Sequence, residues 1–104
     1  MIVWSEKLYI GRQAENNYKK VKKKLERGNP VQGYFLITRP SNENNLFDIL
    51  PTTQLLFPYY KRQELLVYGF AKGKEEANEL VVSMLEDVYR VTDGLCCKEY
   101  FESE

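Results

Sequence analysis

The sequence predicts a single α+β domain, and three observations carry that prediction. A chain of 104 residues with 43% hydrophobic and 13% aromatic side chains is sized for one core. The run Glu64-Leu-Leu-Val-Tyr-Gly-Phe-Ala-Lys-Gly73 is apolar on both alternating faces, the signature of a strand buried on two sides. Two amphipathic helical patterns, each between strand-like runs, complete the picture.

A first strand is expected over Val3 to Ile10, ended by Gly11. Ala14, Tyr18, Val21 and Leu25 then repeat at intervals of four, three and four, one apolar helix stripe. Lysines fill the other positions from Lys19 to Lys24, and Gly28 with Pro30 stops the helix. Val31 to Thr38 is β-branched and aromatic, so it reads as the second strand, closed by Pro40. From about 39 to 63 the chain enters an insert. Ser41-Asn-Glu-Asn-Asn45 suits a helix cap ahead of Leu46–Leu50, and Thr52 or Thr53 a second short turn through Phe57. The strand from Glu64 to Ala71 follows. Lys74 to Val91 is the strongest helix, with Ala77, Leu80, Val81, Met84, Leu85 and Val88 on one face and Asp93-Gly94 at its exit. Cys96 to Phe101 fits a last short strand.

The order βαββαβ is that of a ferredoxin-like split βαβ sandwich, here with a short-helical insert between strands 2 and 3. Both long helices are expected on one face of an antiparallel sheet. The Glu64–Ala71 strand lies centrally, beside the first strand.

Charge is polarised along the chain. Residues 1–40 carry nine basic and three acidic side chains, and residues 74–104 carry three and nine. Since the totals are 15 each, net charge makes no case for a nucleic-acid or membrane partner. Neighbouring lysine-rich and glutamate-rich helices would pair within the monomer, each exposed pair contributing only about 0.2–1 kcal/mol.

Several chemistries lack their usual residues. With no histidine, the common general base and metal ligand are missing. Cys96 and Cys97 are adjacent, which disfavours a mutual disulfide, and two sulfurs alone fall short of a zinc site. No cofactor, metal or catalytic constellation is expected. Glu64, Tyr68 and the cysteines are the conceivable acids or bases if the chain is an enzyme. Met1–Glu6 has no basic region followed by an apolar run, and no segment approaches a bilayer span. A reduced, cytoplasmic protein without membrane contact is the default reading.

The face away from the helices is where function is sought. If Leu8, Ile10, Phe35, Ile37, Leu65, Val67 and Ala71 face the helices, the other face displays Tyr9, Tyr34, Leu36, Leu66, Tyr68 and Phe70. Such a patch is too apolar to remain in water. It can be covered by the insert, by a second copy in a symmetric homodimer, or by stacked nucleic-acid bases.

The last option has a resemblance behind it. Leu8-Tyr9-Ile10-Gly11 resembles the first ribonucleoprotein motif of the RNA-recognition fold, and Tyr68-Gly69-Phe70-Ala71 is similar to the centre of the second. That resemblance implies base stacking on Tyr9, Tyr68 and Phe70. Leu66, Val67 and Gly73 depart from the second motif. Separately, Trp4–Gly11, Ser41–Pro51 and Gly69–Ala77 resemble small proteins of anaerobic Gram-positive bacteria, which implies a bacterial cytoplasmic origin.

Other candidates read as structural. Gly69–Lys74 joins a strand to a helix but lacks Walker spacing, with Glu75 where a hydroxyl is needed. Asn42, Glu43, Asn44, Asn45 and Asp48 lack the alternation of a calcium loop. Tyr59-Tyr60-Lys61-Arg62 is a second candidate surface, or packing for the loop. The expected function is therefore a non-enzymatic protein-interaction or regulatory domain that self-associates through its apolar sheet face. RNA or single-stranded nucleic-acid binding on the same aromatics is the alternative.

Overall fold

The computed structural model describes residues 2–42, 44–61 and 63–102. Four strands form one mixed sheet in the order β1-β4-β2-β3: β1 is Ile2–Ile10, β2 Tyr34–Thr38, β3 Asp48–Pro51 and β4 Leu65–Lys72. The central position of β4 agrees with its two-sided apolar pattern. It runs parallel to β1 and antiparallel to β2.

The helices are α1 (Tyr18–Glu26), α2 (Pro58–Lys61), α3 (Lys74–Thr92) and α4 (Cys97–Glu102). A 3₁₀ turn at Ala14–Asn17 leads into α1, so the expected stripe begins one turn before the α-helix. Ala14, Val21 and Leu25 are buried along it. The long helix α3 matches its periodicity: Ala77, Met84 and Val88 are buried, with Leu80, Val81 and Leu85 packed beside them. Asp93 closes it in the left-handed region, at φ 57°.

Three expectations need correction. First, the long helices lie on opposite faces. Val21 and Leu25 of α1 cluster with Leu36, Val67 and Phe70, while Met84 and Val88 of α3 cluster with Ile37 and Tyr68. Leu36 and Ile37 are consecutive strand residues and so point opposite ways. The lysine-rich and glutamate-rich helices are thus separated by the sheet and do not pair as neighbours.

Second, the insert does not form a helix at Leu46–Leu50. Asp48–Pro51 is an edge strand, paired antiparallel with β2 from Thr38↔Asp48 to Phe35↔Pro51. Pro51, which has no N–H to donate, sits at the strand end on the sheet edge, where proline is tolerated. The following 3₁₀ turn, Thr52–Leu56, agrees with the second expected short turn.

Third, Cys97–Glu102 is a helix. Its window is too short to separate the two periodicities: Cys97/Phe101 fits a strand face, and Cys97/Tyr100/Phe101 fits a helix face. The helix buries Cys97 and Phe101 against the Tyr68 side of the sheet.

A bulge in β4 resets which residues share a face. One step along β2, from Thr38 to Ile37, spans two along β4, from Val67 to Gly69. Leu65, Val67 and Phe70 therefore pack on the α1 side, and Leu66 and Tyr68 on the α3–α4 side. The same region of β1 also bulges, since Trp4 pairs with Val67 but Tyr9 with Gly69. Gly69 is needed there because a Cβ would press on Ile37 and the Met84 sulfur at 3.1–3.2 Å.

Candidate functional site

The six residues expected to share the face away from the helices are divided between two interiors. Tyr34, Leu36 and Phe70 belong to the α1 side, and Tyr9, Leu66 and Tyr68 to the α3–α4 side. Tyr34, Leu36, Tyr68 and Phe70 are fully or nearly fully buried. On the α1 side Tyr34 stacks on Phe70 at 5.3 Å and 6°, and Trp4 and Tyr18 approach Phe70 at 6.5 and 5.8 Å. The three aromatics of the RNA-recognition resemblance therefore do not form one platform.

On the other side the chain supplies its own stacking partner. Phe101 of α4 lies on Tyr68 with centroids 4.4 Å apart and planes at 12°. Tyr9 and Phe47 meet Phe101 edge-on at 5.7 and 5.9 Å. Aromatic pairs of this kind contribute about 0.5–1.5 kcal/mol beyond their buried area.

The polar ends of these rings are paired. The Tyr68 hydroxyl donates to the Glu102 carboxylate, which Arg39 also grips: Nε donates to Oε2 at 3.0 Å and Nη2 to Oε1 at 2.5 Å. The bulge in β4 places Tyr68 here, while the end of β2 delivers Arg39. The Tyr9 hydroxyl donates to Asp87 at 2.6 Å and meets the Tyr100 hydroxyl at 2.8 Å. Two α4 backbone carbonyls are also taken: Lys7 Nζ donates to that of Tyr100 at 2.9 Å and Ser5 Oγ to that of Phe101 at 3.3 Å.

These surroundings hold protons in place. Burial, reinforced by the bond to Glu102, raises the Tyr68 phenol well above its ordinary range. Tyr9 is raised likewise, by burial and then by Asp87 and Tyr100. Burial alone would raise the Glu102 carboxyl, but the bonds from Arg39 and Tyr68 outweigh it and hold the group ionised below its usual range. The pair thus joins a phenol held neutral to a carboxylate held charged.

Outside this clamp lies an open groove of about 920 Å³. It is lined by Arg39, Pro40, Ser41, Asn45, Leu46 and Tyr68 together with Leu95 to Glu99 and Glu102. Leu46 and Leu95 are exposed on it, 38% and 53%. Cys96 is exposed on the groove, and Cys97 is buried, its thiol pushed up by burial and by Cys96. Sequence reading missed Arg39, Leu46, Leu95, Phe101 and Glu102 as a group. The signal available was the i, i+3, i+4 spacing of Cys97, Tyr100 and Phe101.

The remaining candidates are placed as follows. The strand-to-helix turn at Gly69–Lys74 is closed by Glu76, whose carboxylate accepts from the amides of Gln13 (2.9 Å), Ala14 (3.2 Å) and Lys72 (3.1 Å). A carboxylate in that position repels phosphate. Tyr59 and Tyr60 meet edge-on at 5.0 Å on α2, with Tyr59 exposed. Lys61 ends that helix, and Arg62 and Glu43 lie outside the described residues. Glu64 is exposed before β4. Asn42 and Asp48 hold the β2–β3 connection, accepting from the amides of Asn44 and Ser41 at 2.9 Å each. Among the described residues no helix is long and apolar enough to cross a membrane.

Comparison with protein-family models, with curated proteins and with solved structures gives no match.

Proposed function

We propose that the protein is a non-catalytic interaction domain that pairs with a second copy of itself along the groove beside α4. The observation that carries this reading is the pair of exposed leucines, Leu46 and Leu95, that both line that groove. Both sheet faces are filled internally, so the surface for self-association moves from the sheet to its C-terminal cover.

Charge supports a like partner. The groove carries Arg39 and Lys98 together with Glu99 and Glu102, two of each sign on one patch. Arg39 and Glu102 are paired within the chain, and under a two-fold axis Lys98 and Glu99 can each meet the partner's opposite charge. A strongly basic or acidic ligand finds no matching field there. Nucleic-acid binding would need an open aromatic platform, and Phe101 already occupies Tyr68.

Size-exclusion chromatography with light scattering tests the reading. Dimer is expected at high micromolar concentration, with Leu46→Asp and Leu95→Asp each shifting the protein to monomer. A wild-type protein that stays monomeric there contradicts it.

A further inference from the structure

We infer that α4 exchanges between copies, so that Phe101 and Glu102 of one chain fill the Tyr68–Arg39 site of the other. This rests on the self-association reading above and supplies its contact.

A six-residue helix is too short to persist alone, so α4 is held by what it touches. Its contacts are those of a bound ligand. Tyr68 stacks on Phe101 and donates to Glu102, Arg39 grips the same carboxylate at two points, and Ser5 and Lys7 take two backbone carbonyls. All these partners belong to β1, β4 and the residue following β2. The receptor is thus complete without the connection that tethers α4, and accepts the same helix from another chain.

The tether favours release. It is four residues long, 93–96, and begins at Asp93 with φ 57° and ψ 31°. That left-handed conformation turns the chain back onto its own sheet and is unfavourable for any residue with a side chain, although less so for aspartate than for most. A connection that runs on toward a neighbour gives up this turn. It also carries Leu95 and Cys96, both exposed in the closed form, into the space between two copies.

Charge is compatible with the exchange as well. The receptor cations Lys7 and Arg39 lie within residues 1–40, which balance to +6, and the exchanged segment 93–102 carries Asp93, Glu99 and Glu102 against Lys98. Opposite ends of two chains attract. Exchange loses no interaction type, since every contact given up in one copy is regained in the other.

Charge reversal across the pair gives the test. Arg39→Glu and Glu102→Arg proteins each face two like charges, in the closed monomer and in their own exchanged dimer. Co-refolded together, they form a heterodimer in which one site keeps the original pair and the other holds it reversed. Light scattering and native mass spectrometry should show heterodimer enriched about tenfold over either homodimer, about 1.4 kcal/mol of preference. A dimer of statistical composition overturns exchange and leaves self-association standing. Wild-type protein that stays monomeric overturns both.

Should either variant fail to fold by circular dichroism, Asp93 decides with the clamp intact. Asp93→Gly relaxes the closed turn and should favour monomer. Asp93→Ala strains it and should favour dimer, with about fivefold or more between their dissociation constants. Equal dissociation constants contradict the exchange.

Discussion

The Phe101 ring lies flat on Tyr68, 4.4 Å away, while the Glu102 carboxylate beside it accepts the Tyr68 hydroxyl. One tyrosine is therefore held through its face and its tip by consecutive residues of α4. The aromatic side of the sheet is filled from within, and an open groove lies at the edge of that cover.

Truncating Phe101 should undock α4. Phe101→Ala removes a buried ring from the Tyr9–Phe47–Tyr68 cluster and should cost about 3–5 kcal/mol. Tyr68→Phe keeps the stack, loses one charge-assisted bond, and should cost only about 1.5–3 kcal/mol. Urea unfolding of both variants measures the difference, and equal losses would contradict the stacked role of Phe101.

Acid should loosen the same contact. Glu102 is held below the ordinary carboxylate range in the folded protein, so its stabilisation is complete above the unfolded value of about 4.3 and lost as pH falls further. Stability measured from pH 6 to pH 3 should drop in wild type, and the drop should be smaller in Glu102→Gln. Arg39 is about half exposed, so the pair contributes only about 0.2–1 kcal/mol through its charges.

Alkali acts through the tyrosines. Tyr9 and Tyr68 both have raised folded values, so the neutral phenols favour the fold below pH of about 10 and this contribution is lost as pH rises beyond that. Ultraviolet titration should show Tyr9 and Tyr68 ionising only on unfolding. Tyr9→Phe with Tyr68→Phe should abolish that late step.

The opposite end of the parallel strands offers an independent check. A methyl at Gly11 collides with the Glu76 side chain, which caps the amides of Gln13, Ala14 and Lys72. Gly11→Ala should cost about 1–3 kcal/mol by forcing Glu76 from its bonds. In the Glu76→Ala background the same change should cost far less, a coupling that thermal unfolding of the four proteins resolves.

Much of this architecture is written in local pattern. β4 is central because its residues are apolar on both sides, and α3 ends at Asp93 where the stripe from Ala77 to Val88 runs out. The division of faces is not local. It depends on the bulge between Val67 and Gly69, which moves Phe70 to the α1 side although strict alternation places it with Tyr68. The identity of α4 depends on tertiary packing, because six residues satisfy strand and helix periodicity alike. Asp48–Pro51 shows the same effect: capping residues precede it, yet pairing with β2 makes it a strand. The site was illegible for that reason, since Arg39 and Glu102 meet only once the bulge and α4 are in place.

Isotope-filtered nuclear Overhauser spectroscopy on the wild-type protein tests the central claim most directly. Labelled and unlabelled chains are co-refolded at high micromolar concentration, and cross-peaks between copies are recorded. The account predicts a cross-peak from the Phe101 ring of one copy to the Tyr68 ring of the other. A Phe101–Tyr68 contact found only within single chains, at concentrations where the protein is dimeric, would contradict it.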